Sequence, residues 1–138
     1  MKLTDLTLDL ESVDNGAWID DLPDLEGVSF RVRGSEYQPY TRALRAAMAV
    51  RGRKELARAR AGDTSGYDAT TRKLAAEHLL LDWKGIESDD GKPIPFTAAL
   101  ALEVMTERQY RPLQRGVLEA IDRVDNGLAE HREDAEGN

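Results

Sequence analysis

The chain has 138 residues, of which 41% are hydrophobic but only 6% aromatic, and its formal net charge is −7. This length suits one compact domain whose core is built mainly from Leu, Val, Ile and Ala. The sequence contains no cysteine, which excludes disulfides, zinc–thiolate sites and thiol catalysis. Its apolar runs are too short to span a bilayer.

The first part of the chain is predicted to be extended. Apolar and polar residues alternate over Leu6–Leu10 and again over Val28–Val32, which is the period of a half-buried strand. Asn15-Gly16 is a turn signal because both residues tolerate positive φ, and Trp18 follows it in a short strand. We therefore expect a small antiparallel hairpin or sheet over residues 1–34, packed on the helices that follow.

The next segment is predicted to be a helix. Ser35 and Gln38 match a capping box, and Pro39 suits a first helical turn. One face of this helix carries apolar residues at helical spacing, namely Tyr40, Ala43, Leu44 and Ala47. We expect Gly52 to bend or end it.

Three further helices are expected. The second is capped by Asp68, carries an apolar face that runs to Trp83, and ends at Gly85. Thr97 caps the third, and the fourth begins near Pro112 and continues to Leu128.

These segments predict an α+β protein that is mainly α, with a small N-terminal antiparallel sheet followed by about four helices. Residues 35–128 form the helical domain in this prediction. The polar residues 129–138 have nothing to bury and are predicted to be a flexible acidic tail.

The residue pattern points away from catalysis. The two histidines, His78 and His131, have no second histidine at a spacing that would share a metal ion. The chain has no phosphate-binding glycine loop and no nucleophile elbow. We therefore predict no catalytic residues, no cofactor and no metal site.

A basic segment lies between two acidic ones. Residues 42–60 contain seven bases against a single acid, Glu55, which gives +6; with −7 for the whole chain, the rest carries −13. Three interpretations are open: a solvated helix face that balances the acidic ends, a surface that docks on an acidic partner, or a nucleic-acid contact. The acidic total argues against the third.

Trp18 is either a core residue or an exposed anchor for a partner. With the basic helix, it defines a predicted partner-binding set. The set is Trp18, Tyr40, Arg42, Arg45, Arg51, Arg53 and Lys54.

The stretch from Leu79 to Val124 carries a family resemblance, whose specific part is residues 79–105. A tryptophan and a glycine are followed by an acidic turn and a Pro-Ile-Pro-Phe-Thr connector, at Trp83, Gly85, Gly91, Pro93, Pro95, Phe96 and Thr97. This pattern resembles the tail assembly chaperones of long-tailed bacteriophages and gene transfer agents. The same residues also make ordinary sense as a helix end, a turn and a cap.

The resemblance implies a non-catalytic role. Such chaperones are expected to bind the tape measure protein, keep it soluble and help recruit tail tube subunits. They act in the cytoplasm of the bacterial host and are absent from the mature particle. The alternatives are a structural virion component, such as a head–tail connector or minor tail protein, and a small nucleic-acid-binding regulator that uses residues 42–60.

Overall fold

The computed structural model describes residues 1–62 and 65–127, apart from the side chains of residues 53, 55, 59 and 65–67. The helices are α1 (Leu10–Asn15), α2 (Gln38–Arg60), α3 (Ser65–His78), α4 (Ala98–Thr106) and α5 (Arg111–Asp125). The strands are β1 (Ala17–Ile19), β2 (Ser29–Val32) and β3 (Leu80–Lys84), and short 3₁₀ turns occupy Leu3–Leu6 and Arg108–Tyr110. Leu128 and the predicted tail at 129–138 lie outside the described residues.

The three strands form one antiparallel sheet in the order β1-β2-β3. The central strand, β2, places Phe30 opposite Ile19 on one side and opposite Trp83 on the other. Phe30 and Val32 are completely buried, so the alternation seen at Val28–Val32 marks a real sheet face. The prediction of a mainly helical α+β fold with a small antiparallel sheet is confirmed.

The second predicted helix is shorter than expected. α3 ends at His78, and the segment that was expected to continue it to Trp83 is the strand β3 instead. A short apolar run such as Leu79–Leu81 fits a helix and a strand equally well by periodicity. Pairing with β2 decides between them, since it satisfies backbone groups that β2 would otherwise leave open on that side.

The extended segment expected at Leu6–Leu10 is wrong. Residues 3–6 form a 3₁₀ turn, and α1 begins at Leu10. Asp9 caps α1, because its carboxylate accepts hydrogen bonds from the Ser12 backbone N–H (3.3 Å) and hydroxyl (2.6 Å). The alternating leucines have no sheet to cover them, and Leu6 is 66% exposed.

Two predicted helix caps are also wrong. The Ser35 backbone N–H and hydroxyl donate to the carboxylate of Asp125, at 2.8 and 2.7 Å, so Ser35 joins the end of α5 rather than capping α2. α2 begins at Gln38, later than a cap at Ser35 would place it, and Pro39 lies in its first turn as predicted. Asp68 lies inside the first turn of α3, where its charge still favours the helix dipole, but it is not the cap.

The last two helices agree with the sequence. Thr97 caps α4 by accepting from the Leu100 N–H at 3.1 Å. α5 buries the apolar face that the sequence predicts, including Val117, Ala120, Ile121 and Val124. Gly116 lets α5 approach the loop before β2, because a Cβ atom there would overlap the side chain of Leu25.

Gly85 follows β3 rather than a helix, and it has two reasons to be glycine. Its φ is +85°, and a Cβ atom would overlap the carbonyl oxygen of Gly27. Gly91 has a nearly equal φ of +82° but open space around it. The two positions therefore separate backbone conformation from steric overlap.

We expect Gly91→Ala to cost about 1 kcal/mol of stability, from the left-handed conformation alone. Gly85→Ala should cost about 3 kcal/mol or more, because the backbone at Gly27 must also move. Urea unfolding of both variants measures the difference. Equal losses would show that the approach of Gly27 to Gly85 is not tight.

Candidate interaction surface

The residues that carry the tail-chaperone resemblance form part of the fold. Trp83 is 5% exposed, and its indole N–H donates to the Ile94 carbonyl at 2.8 Å. Phe96 meets the Trp83 ring edge-on, with the centroids 5.0 Å apart. This aromatic pair holds the connector to β3, and its burial means that Trp83 is not a binding surface.

The connector itself is a hairpin-like loop. The Ile94 N–H donates to the Ile86 carbonyl at 2.8 Å, and the Ser88 N–H donates to the Lys92 carbonyl at 2.9 Å. At its tip, hydrogen bonds from the Ser88 hydroxyl and the Lys92 N–H lower the pKa of Asp90. Pro93 and Pro95 are exposed beyond this tip, and Thr97 starts α4.

Trp18 lies on β1, which is an edge strand of the sheet. Its side chain is half-buried, and the ammonium group of Lys84 lies 4.1 Å from the ring centroid. The cation covers part of the ring and stabilises it by about 0.5–1 kcal/mol at such an exposed site. Trp18 is therefore neither a core residue nor a fully exposed anchor.

Tyr40 is only 5% exposed, on the face of α2 that joins the core. The exposed bases of the predicted set are Arg42, Arg45, Arg51 and Lys54. Arg53 lies on α2, but its side chain is outside the described residues. These bases are thus exposed along α2, whereas Tyr40 belongs to the core.

Residues 49–62, here called the arm, form the second half of α2 and the turn after it. Every side chain described in the arm is exposed, including Val50 at 87% and Leu56 at 51%. Earlier in α2, Ala43, Leu44, Ala47 and Met48 are half-buried, and α2 packs on α3. The arm therefore extends beyond the part of α2 that the core covers.

Gly52 lies within the arm, three residues after its start. It has φ +62° and ψ −149°, which is not helical, so two helical segments meet at a kink. This conformation is essentially restricted to glycine. The prediction that Gly52 bends the helix is confirmed.

A second polar cluster lies where α4 meets α5, and it serves the fold. The amide of Gln114, 1% exposed, donates to the carbonyls of Val104 and Glu107 at 2.9 and 2.8 Å, and it accepts from Arg111. Burial lowers the pKa of Arg72, and the nearby Arg111 lowers it further against the opposing effect of Asp68. The hydrogen bonds from Gln114 satisfy the carbonyls of Val104 and Glu107 at the end of α4.

Residues 20–28 form an acidic loop that was not among the predicted binding residues. Its four acids are exposed around an open cavity of about 540 Å³, whose apolar lining includes Leu22, Leu25 and Val28. The run of four acids without a base was visible in the sequence, but the cavity depends on tertiary packing. Among the described residues, no group of three metal-ligating side chains is clustered, and no described helix is long and apolar enough to cross a membrane.

A family model described as YdaY prophage protein matches residues 34–138. The chain belongs to the YdaY prophage protein family. The match covers α2 through α5 and includes β3 with its connector, while β1 and β2 precede it. Searches of curated proteins and of solved structures each gave no match. The chain is thus phage-related, in agreement with the broader part of the resemblance.

Gly52→Ala should straighten α2. Alanine favours a helix interior over glycine by about 1 kcal/mol and disfavours the kinked conformation. Because the chain has no cysteine, spin labels at Arg45→Cys and Ala57→Cys report the change, and a continuous helix would place these α-carbons about 18 Å apart. The labelled protein with Gly52 intact is the control, and identical distance distributions would contradict the prediction.

Proposed function

We propose that this prophage protein is a non-catalytic tail assembly chaperone that binds the tape measure protein in the host cytoplasm. It would keep that long chain soluble, help tail tube subunits to assemble on it, and leave before the particle matures. The observation that carries the proposal is the arm, a helical segment exposed on all described sides that combines bases with Val50 and Leu56.

The arm suits a long helical partner for physical reasons. A helix of about ten residues is marginal in water unless one face is buried. Exposed apolar side chains among bases offer both burial and charge to a partner helix that carries apolar and acidic residues. The family supports a phage role, and the resemblance at Trp83–Thr97 directs the choice of partner within it.

The polar clusters of the described part support the non-catalytic part of the proposal. Gln114 and Arg111 bond to each other and to the end of α4, and Asp125 bonds to Ser35. Each of these bonds has a structural purpose. We therefore expect the protein to act through a binding surface rather than through a reactive cavity.

Co-expression with the tape measure protein of the same prophage tests the proposal. We expect the wild-type chain to raise the soluble fraction of that protein and to co-purify with it. Lys54→Glu/Arg60→Glu should lower both by about 10-fold, since close opposite charges become like charges. Arg108→Glu/Arg115→Glu makes the same charge change at exposed positions outside the arm and is the matched control.

Two results would contradict the proposal. If the control reduces co-purification as much as the arm variant, net charge rather than the arm is responsible. If the protein is found in purified particles and does not affect the tape measure protein, it is a structural virion component.

The arm also favours a second candidate, a nucleic-acid-binding regulator. Five of its fourteen residues are basic and one is acidic, which resembles a phosphate-binding helix. The rest of the chain carries −11, since the total is −7 and the arm is +4, and this opposes long-range attraction to nucleic acid. Titration of a fluorescent duplex at about 20 mM salt decides, because electrostatic binding is strongest there; no binding under that condition removes this candidate.

A further inference from the structure

We infer that the arm of one copy docks on the acidic loop of a second copy. The arm comprises residues 49–62, and the acidic loop comprises residues 20–28 between β1 and β2. This contact would make the protein self-associate, independently of any tape measure protein. The charge, the apolar side chains and the exposure of both surfaces lead to it.

The two surfaces are opposite and equal in charge. The arm carries five bases and one acid, which gives +4, whereas the acidic loop carries four acids and no base, which gives −4. Their bases and acids are exposed wherever the side chains are described. Since both surfaces are exposed, the arm does not cover the acidic loop of its own chain.

The acidic loop is a preformed receptor. Leu22 is buried, and Leu25 packs at Gly116 of α5. The Arg123 guanidinium donates to the carbonyls of Asp20 and Asp21 at 3.0 and 3.2 Å, which ties the loop to α5. A fixed loop loses little entropy when a ligand binds.

The side chains of the two surfaces are also complementary. The cavity of about 540 Å³ has apolar side chains, Leu25 and Val28 among them, on its lining and acids around it. The arm has the opposite charge, and Leu56 lies one helical turn from Arg60, on the same face of the helix. A Leu56 side chain in the cavity would bring Arg60 towards Asp24 and Glu26, while Lys54 adds to the positive charge of the arm.

A second copy explains both surfaces together, whereas nucleic acid explains only the arm. Phosphates would be repelled by the acidic loop, which would then have no occupant. The arm-to-loop contact joins two different surfaces. It can therefore close into a ring, extend as a chain, or occur twice in a twofold dimer.

Sedimentation velocity of the purified full-length chain tests the inference. We expect concentration-dependent association at about 50 mM salt that weakens at least about 10-fold at about 500 mM, where charges are screened. Lys54→Glu/Arg60→Glu removes the net positive charge of the arm, and Asp24→Asn/Glu26→Lys removes most of the negative charge of the acidic loop. Asparagine is chosen at position 24 because it tolerates the φ of +64° found there. Each variant alone should remain a monomer with a wild-type circular dichroism spectrum.

Mixing the two variants is the decisive step. The arm variant retains an acidic loop and the loop variant retains an arm, so the mixture should form a heterodimer. Arg108→Glu/Arg115→Glu, the matched control, should associate like the wild type. A monomeric wild type at low salt, unchanged association of either variant, or a mixture that stays monomeric would each overturn the inference, as would an arm that binds only a duplex probe.

Discussion

The pairing of β2 with β3 is the constraint on which the rest of the structure depends. It joins Phe30 to Trp83 across the sheet, and the Arg33 N–H extends it by donating to the Leu79 carbonyl at 2.9 Å. On one side, Trp83 then bonds to Ile94 and meets Phe96, which sets the start of α4. On the other side, the buried Phe30 lies against α5 near Gly116. One long-range pairing thus positions the connector and the last two helices.

The exposed arm lies in the connection between these two paired strands. Residues between β2 and β3 must leave the sheet and return to it, and they do so as α2 and α3. The core covers the start of α2, where Tyr40 is buried, whereas every side chain described at residues 49–62 is exposed. Arg and Lys side chains that stay in solvent have no desolvation cost, so an exposed segment tolerates many of them. The exposed position of residues 49–62 therefore agrees with their basic composition, while the rest of the chain is acidic.

Local signals sufficed where a residue's effect is local. Thr97 as a cap, Gly52 as a break and the apolar face of α5 depend on neighbours a few residues away, and the structure has all three. β3 could not be predicted in this way, because its strand conformation depends on β2 some fifty residues earlier. The strand predicted from the alternating leucines at Leu6–Leu10 was wrong because no sheet lies beside them. Alternation leads to a strand only where a sheet is present to bury one side. Ser35 was misassigned because its partner, Asp125, lies at the far end of the chain.

The candidate surface, too, could be predicted from the sequence only in part. Its bases could be predicted, because a run of Arg and Lys is rarely buried, but Tyr40 occupies the face of α2 that the core needs. The acidic loop shows the limit most clearly. Its carboxylates are evident from the sequence, whereas its cavity exists only because Leu22 and Leu25 are drawn into the body against α5.

The energetics of the arm bear on how it binds. Because the described side chains of residues 49–62 are exposed, holding them in one arrangement would be a cost of the proposed binding. Their contacts would be ion pairs near solvent, each contributing about 0.2–1 kcal/mol, with burial limited to side chains such as Leu56. Such a surface gives modest affinity that depends on salt and is readily exchanged between partners. If both proposals hold, the same arm would serve a second copy of the chain at one stage and another protein at the next, whereas a large apolar interface would commit it to one of them.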